Sequence, residues 1–262
     1  MSLIYSAIIP HSPLLIPAIG KNNTDLLKKT TSSFAKIEEE LLTQDIETLV
    51  VISSHSNFKE KIFALNFSPE FEINFEEFGD FASRKKVFGD ILLSHKIKKY
   101  LLSNFKVRLI NKPGLNHGVG VPLYLLTKNL KNLKIIPVYC SEADLATHFA
   151  VGENIQKTLI KSNKRIAVLA SGDLSHTLSQ NAPGGYSPKA AKFDQKIIDY
   201  LQNKKNQNLT KLNPNLIEEV QTEGVKPFSL LSGIMNKINY SPKLLAYEHP
   251  FGVGYLTMSF YF

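Results

Sequence analysis

ETLVVISSHS (47–56) is a nearly continuous apolar run that ends in a short polar segment containing a histidine. Such a run is typical of a strand that helices cover on both faces of a parallel sheet. Runs of the same kind occur at LIYSAII (3–9), KIIPVYC (134–140) and RIAVLAS (165–171). Longer amphipathic segments separate them. This alternation predicts an α/β fold with a mostly parallel central sheet flanked by helices on both faces.

The other segments fit the same plan, and we expect one domain over residues 1–262. Residues 60–76 alternate aromatic and polar side chains, which indicates an antiparallel excursion, and a loop carries His117. Further strands are predicted over residues 106–110, 243–248 and 253–262. Helices are predicted over residues 24–43, 87–104, 142–161, 188–202 and 214–221, and two more from Val121 and near Pro227.

The net charge of +8 does not indicate a nucleic-acid-binding protein. The surplus is almost entirely lysine, with 28 Lys against 3 Arg, and the lysines are scattered along the chain. Nucleic-acid readers favour clustered arginine interleaved with aromatic residues. We therefore expect a lysine-rich, solvated surface, no nucleic-acid partner, and small-molecule chemistry instead.

Cysteine content and hydropathy indicate the compartment. Cys140 is the single cysteine, which excludes an internal disulfide and fits a reducing environment. The start MSLIYSAIIPHSP has no basic segment and is interrupted by prolines, unlike a signal peptide. No apolar run approaches the length of a membrane span. We expect a soluble, cytoplasmic protein with no membrane partner.

Histidines at strand ends are the strongest functional signal. Four of the seven histidines, His11, His55, His117 and His176, lie just past apolar runs or in turns rich in Pro and Gly. Open α/β sheets carry their sites at the carboxyl ends of their strands. Imidazole is the commonest metal ligand and exchanges protons near neutral pH. The placement predicts a metal site, an acid/base site, or both.

A site of two histidines and one carboxylate is a common way to hold Fe(II) for oxygen chemistry. His11 and His55 follow the first two predicted core strands, which we expect to be neighbours in the sheet. The residues alone leave three carboxylates open as the third ligand: Glu223, Glu248 and Asp173. Asp173 lies three residues before His176 in SGDLSH, so it could instead orient that imidazole.

Six motifs occur in an order and spacing that match a known family. They are PHSP (10–13), SSHS (53–56), LNHGVGVPLYLL (115–126), SGDLSH (171–176), EGVKPFSLLSGIM (223–235) and FGVGYL (251–256). With them, the chain resembles the LigB-type class III extradiol ring-cleavage dioxygenases, most closely the branch near the MEMO proteins. The resemblance extends over nearly the whole chain.

The resemblance implies a role for each candidate. His11 and His55 match the family's iron-binding histidines, and Glu223 matches its metal-binding glutamate, where MEMO proteins have a cysteine. His117 and His176 match two histidines that handle substrate and protons, and Asp173 accompanies His176. The implied reaction is cleavage of a small aromatic diol with O2 at Fe(II), in a homodimer. The resemblance also favours Glu223 over Glu248 as the carboxylate ligand.

Three alternatives remain open from the sequence, and one of them is a protein that keeps the fold without any catalysis. The first is a MEMO-like protein that binds a metal or a peptide in the same cleft without cleaving a ring. The second is a zinc metallohydrolase with the same three ligands, in which His176 activates water.

Overall fold

A ten-stranded mixed sheet organises the chain. The computed structural model describes residues 2–56 and 60–262. Within these ranges the strands are β1 (Leu3–Ile9), β2 (Thr48–Ser53), β3 (Phe63–Asn66), β4 (Glu70–Phe75), β5 (Asp80–Gly89), β6 (Val107–Ile110), β7 (Lys134–Tyr139), β8 (Ile166–Ser171), β9 (Ser241–Glu248) and β10 (Tyr255–Tyr261). The α-helices are α1 (Pro17–Gly20), α2 (Lys28–Thr43), α3 (Ile91–Leu102), α4 (His117–Leu126), α5 (Leu145–Leu159), α6 (Ala190–Gln202), α7 (Pro214–Val220) and α8 (Val225–Ile234).

Four parallel strands, in the order β7-β2-β8-β1, form the centre of the sheet. Ser171 at the end of β8 pairs with Ser53 at the end of β2 and with Ile9 at the end of β1. Every residue of β2 and of β8 is buried. The predicted α/β class is therefore confirmed, and three strand ends lie in one row.

One expectation about the sheet is wrong. We expected β1 and β2 to be neighbours, but β8 lies between them and pairs in parallel with both. With about 4.8 Å between adjacent strands, the two strand ends lie about 10 Å apart. Side chains of the residues that follow β1 and β2 must therefore extend across the end of β8 to reach each other.

Antiparallel strands extend both edges of the sheet. β10 and β9 follow β1 on one side, and the β4–β5 hairpin lies beyond β7 on the other. The helix predicted over residues 87–104 begins only at Ile91, because residues 80–89 form β5. β5 has few buried residues, so it carries no apolar pattern that sequence reasoning could detect.

Helices cover both faces of the sheet, as expected. Alternate residues of the central strands face opposite ways, so Val50 and Ile52 join one apolar core while Leu49 and Val51 join another. The first core packs against α3, α5, α6 and α8, and the second against α2 and α4. None of the helices in the described ranges combines the length and apolar character that crossing a membrane requires.

Helices α5 and α8 approach each other through paired glycines. A Cβ on Gly152 would overlap the Leu230 carbonyl oxygen, and one on Gly233 would overlap the Phe149 carbonyl oxygen. The backbones are therefore in direct contact. This close approach fixes the position of α8, which begins two residues after Glu223.

We predict that Gly233→Ala destabilises the protein. In an open helix this change would add about 1 kcal/mol of stability. Here the new methyl group overlaps the α5 backbone, so the free energy of unfolding should fall by about 1–3 kcal/mol in urea titrations. Gly120→Ala is the matched control, because the nearest atom to its new Cβ, Ile73 Cγ2, lies 3.4 Å away. A Gly233→Ala protein as stable as the wild type would contradict this packing.

Candidate metal centre

His11, His55 and Glu223 bring three donor atoms to one point at the carboxyl end of the sheet. His11 follows β1, His55 follows β2, and Glu223 lies in the short connection between α7 and α8. His11 Nε2 and His55 Nε2 are 2.9 Å apart. Each of them lies 3.1 Å from Glu223 Oε2. Three residues far apart in the sequence thus form a nearly equilateral triangle of donor atoms.

The size of this triangle fits a single divalent metal ion. Metal bonds to His and carboxylate ligands are about 2.0–2.2 Å long, so three donors on one octahedral face lie about 3.0 Å apart. Donors of a tetrahedral site with the same bonds lie about 3.4 Å apart. The observed separations of 2.9 and 3.1 Å are close to these values, so the three donors could hold one ion.

Electrostatics favours positive charge at the same point. Burial alone would raise the pKa of Glu223, but hydrogen bonds with His11 and His55 outweigh it and hold the pKa far below its usual range. Burial alone would lower the pKa of His11, yet the nearby Asp173 and Glu223 carboxylates raise it. Glu223 therefore favours a cation beside His11 Nε2, and the nearby Asp173 carboxylate adds to the negative charge around the ring.

Ser171 fixes the tautomer of His11. The Ser171 hydroxyl donates to the Gly118 carbonyl oxygen, so it accepts from His11 Nδ1, which lies 3.1 Å away. Neutral imidazole protonated on Nδ1 carries its lone pair on Nε2. If a metal replaced the Nε2 proton that bonds to Glu223, the Nε2 lone pair would be directed at the ion.

Asp173 links the segment that carries His11 to the segment that carries Glu223. Its carboxylate accepts the backbone N–H of His11 at 3.1 Å. Its carbonyl oxygen accepts the backbone N–H groups of Glu223 at 3.2 Å and of Gly224 at 2.7 Å. We expected Asp173 to orient the His176 imidazole. Its carboxylate bonds to the His11 backbone, and its role toward His176 stays a prediction.

The position of the His55 ring requires a glycine in the first turn of α4. A Cβ on Gly118 would overlap Ser53 Oγ and would lie 2.6 Å from His55 Cδ2. Asn116 caps α4 by accepting from Val119 N–H, and its amide donates to the His55 carbonyl oxygen. The start of α4 thus supports the His55 backbone and leaves room for its ring.

His117 is the first residue of α4, not a loop residue as expected. Its ring centroid lies 4.2 Å from that of His55 and 5.5 Å from that of His11. Burial and the two neighbouring imidazoles lower the pKa of His117 to about 4, so the ring is neutral at physiological pH. Donor atoms of His11, His55 and His117 all lie within 4.8 Å of one another, so three histidines could also form a metal site.

Two residues near the site were missed from the sequence. The β4–β5 hairpin places its tip (Glu76–Phe78) against His117. Glu77 Oε1 lies 3.4 Å from His117 Nδ1, and the Phe78 ring meets the imidazole edge to face at 5.3 Å. The segment EEFGD resembles an ordinary exposed turn, so only the fold could reveal this contact.

His176 lies on the same loop as Asp173 and is not one of the three donors. Its backbone N–H donates to the Val220 carbonyl oxygen, and its carbonyl oxygen accepts from Gly184. Its ring is not in the cluster of three histidines within 4.8 Å. Among the described residues, no side-chain hydrogen bond joins His176 to the three donors.

Glu248 is outside the donor triangle. Its carboxylate accepts the backbone N–H of Thr30 at 2.7 Å, in the first turn of α2. A carboxylate at this position stabilises the helix end. Of the two glutamates considered from the sequence, the structure brings only Glu223 to the histidines.

The donor triangle opens to solvent on one side. The side chains of Glu223, His55 and His117 are 36%, 25% and 24% exposed, whereas that of His11 is 3% exposed. A cavity of about 40 Å³ beside His55 is lined by Asn116 and other polar residues, and it has room for little more than a water molecule. A larger ligand would approach from the open side.

Comparisons with known proteins identify the family and agree with the fold. The family model for the catalytic LigB subunit of aromatic ring-opening dioxygenase matches residues 5–258. Protein CA_C1420 of Clostridium acetobutylicum is 26% identical over 98% of this chain. The chain spans 57% of that relative's length. The crystal structure of uncharacterized protein JW3007 from Escherichia coli K12 superimposes with a TM-score of 0.71 at 16% identity, covering 98% of this chain and 99% of that one.

We predict that Ser171→Ala weakens divalent metal binding by about 10–100-fold, the usual effect of losing a hydrogen bond to a ligating histidine. Without the hydroxyl, His11 Nδ1 loses the partner that fixes its tautomer. Ser6→Ala is the matched control, because Ser6 is buried on β1 and its hydroxyl has no partner in the described structure. Calorimetric titration with Fe(II) under anaerobic conditions measures both. Equal affinity for the two variants would contradict the role of Ser171.

Proposed function

The chain belongs to the LigB family of catalytic subunits of aromatic ring-opening dioxygenases, and from that premise we propose that it is a non-haem Fe(II) extradiol dioxygenase. Its substrate would be a small catechol-type aromatic diol, which it would cleave with O2. The observation that carries this proposal is the triangle of two imidazole nitrogens and one carboxylate oxygen, 2.9–3.1 Å apart.

The donor set supports Fe(II) over Zn. Two histidines and one carboxylate on one octahedral face are typical of Fe(II) sites that leave positions free for substrate and O2. A bound Fe(II) would supply Lewis acidity toward the diol and a binding position for O2.

Charge balance favours a diol substrate. Two neutral imidazoles and one carboxylate leave one positive charge of a divalent ion uncompensated. An aromatic hydroxyl that has lost its proton supplies the missing negative charge. The second hydroxyl of a catechol can bind beside it. The exposed sides of Glu223 and His55 leave the space through which the ring would enter.

Within the proposal, His117 positions the substrate. Its ring is neutral, with Glu77 at Nδ1 and Phe78 against its face. If Nδ1 donates to Glu77, Nε2 is left as a hydrogen-bond acceptor for a substrate hydroxyl. A neutral ring also avoids repelling the cation that His11 and His55 hold.

We assign proton transfer to His176. A group that removes a hydroxyl proton and later returns it must be free of metal ligation. His176 meets this condition, since its ring lies outside the ligand cluster and its loop is anchored by the backbone bonds of Asp173 and His176.

The direct test is anaerobic reconstitution with Fe(II), followed by a panel of substituted catechols and exposure to air. Ring cleavage should consume one O2 per diol and produce the yellow product of extradiol fission. Protein loaded with Zn(II) is the control and should produce none. A failure of every catechol to consume O2 with fully loaded Fe(II) protein would contradict the proposal.

We predict that Glu223→Ala loses the metal while Glu248→Ala keeps it. Removing one of three ligands should reduce iron content to background, whereas Glu248 stabilises only the start of α2. Losing that interaction should cost about 0.5–1 kcal/mol of stability. Iron content by mass spectrometry, with thermal melting as the folding control, distinguishes the two. Full iron loading of Glu223→Ala would refute its role as a ligand.

His176→Ala should retain iron and lose turnover. A positioned acid/base group contributes about 10²–10⁴-fold to rate, so ring cleavage should fall by that factor. His176→Gln, which keeps a polar side chain but cannot exchange protons, should be equally slow. Loss of iron from His176→Ala would show that the residue is a ligand, and unchanged turnover would show that it has no catalytic role.

A further inference from the structure

A buried carboxylate is bonded to the loop that carries His176. Asp194, in the first turns of α6, is 0% exposed. Its Oδ1 atom accepts the backbone N–H of Ser175 at 3.1 Å and also accepts the Ser175 hydroxyl. Its Oδ2 atom accepts the hydroxyl of Tyr247, on β9, at 2.7 Å. All three donors are uncharged, and two of them belong to the residue that precedes His176.

The hydrogen bonds of Asp194 offset the cost of its burial. Burial raises the pKa of Asp194, and the bonds from Ser175 and Tyr247 lower it again in part. Burial and the Asp194 charge raise the pKa of Tyr247, so the Tyr247 hydroxyl keeps its proton and donates it. Without this carboxylate the buried Ser175 N–H would lose its acceptor. The loop would then have to move for that N–H to find another partner.

The segment before β10 packs against the same carboxylate. Leu174 N–H donates to the Gly254 carbonyl oxygen at 2.8 Å, and Gly254 N–H donates to the Ser175 carbonyl oxygen at 2.9 Å. A Cβ on Gly254 would overlap Asp194 Oδ2. A glycine at this point of the FGVGYL motif therefore leaves the space that the Asp194 side chain fills.

His176 is the one side chain that this part of the loop presents at the surface. Of residues 171–177, only His176 is partly exposed, and Leu174 and Ser175 are 0% exposed. The His176 N–H donates to the Val220 carbonyl oxygen at 2.9 Å, and the His176 carbonyl oxygen accepts from Gly184 N–H at 3.0 Å. The backbone is thus anchored at His176 itself and at the residue before it.

We propose that Asp194 is the positioning residue of His176. By holding the Ser175 N–H and hydroxyl, it fixes the backbone from which the imidazole extends, so the ring keeps the place that proton transfer requires. This inference rests on the acid/base role proposed for His176. A displacement of about 1 Å, caused by a change away from the reacting atoms, can lower a rate by about 10²-fold. An anchor of this kind therefore affects turnover without contacting the substrate.

The first test is turnover of catechols by Fe(II)-loaded variants. Asp194→Ala should lower kcat by about 10²-fold with iron content unchanged. Asp194→Asn, which keeps an oxygen to accept from Ser175, should restore most of the wild-type kcat. Asp90→Ala is the matched control, because Asp90 is also a buried carboxylate, 2% exposed and bonded to Thr48 and Lys164 at the start of β2. It should lower the melting temperature and leave kcat unchanged.

A double-mutant cycle separates positioning from a general effect on the fold. If Asp194 acts through His176, the two substitutions should not add. Adding Asp194→Ala to His176→Ala should therefore leave the residual turnover unchanged. A purely structural role would lower turnover by the same factor in both backgrounds.

An NMR measurement tests the positioning without relying on ring cleavage. In Zn(II)-loaded protein labelled with ¹³C at histidine Cε1, the signal that is missing from His176→Gln identifies His176. Asp194→Ala should shift or broaden this signal and leave the His95 signal in place, since His95 lies on α3. If the wild type cleaves no catechol, the proposed reaction fails, and the His176 signal alone then decides the role of Asp194.

Three results would overturn the proposal. They are an unchanged His176 signal in Asp194→Ala, a wild-type kcat in that variant, and an equal further loss of turnover in the His176→Ala background. Should Asp194→Ala not fold, Ser175→Ala, which removes only the hydroxyl donor, replaces it in all three measurements, with a smaller expected loss of kcat and the same outcomes against the proposal.

Discussion

Parallel pairing of β8 with β1 on one side and β2 on the other is the constraint on which the site depends. The pairing aligns Ile9, Ser171 and Ser53 in one row, so the residues that follow each strand emerge at the same level. Ser171, in the middle of the row, then accepts from His11 and donates to the start of α4. A register shift of one residue would turn the Ser171 side chain to the other face of the sheet and break both interactions.

Backbone contacts hold the segment that carries Glu223 next to this row of strand ends. Gly172 and Gly224 pack so closely that a Cβ on Gly172 would lie 2.5 Å from the Gly224 Cα atom. This approach lets the Asp173 carbonyl oxygen accept from both Glu223 and Gly224. The packing of α8 against α5 through glycines then fixes the helix that follows. Main-chain contacts therefore hold the backbone of the Glu223 segment beside the strand ends.

The sequence predicted the strands well and their arrangement less well. β1, β2, β7 and β8 are buried on both faces, so each gives a continuous apolar run, and their ends located His11 and His55. The order of the strands is set by long-range pairing, which leaves no local signal, so β8 was not expected between β1 and β2. Glu223 could be selected only by family resemblance, because it lies in a polar connection far from the histidines. We expected α4 to begin at Val121, but it begins at His117 after the capping residue Asn116. Glycines and Pro122 in its first turns are unusual in helices, so the sequence does not indicate a helix there.

Anomalous diffraction at the iron edge, from crystals grown with Fe(II) under anaerobic conditions, tests the central claim most directly. The account predicts one peak about 2.0–2.3 Å from His11 Nε2, His55 Nε2 and a Glu223 carboxylate oxygen, with His117 and His176 beyond bonding distance. A peak bonded to His11, His55 and His117 with Glu223 turned away would contradict the account, as would the absence of any peak at these residues.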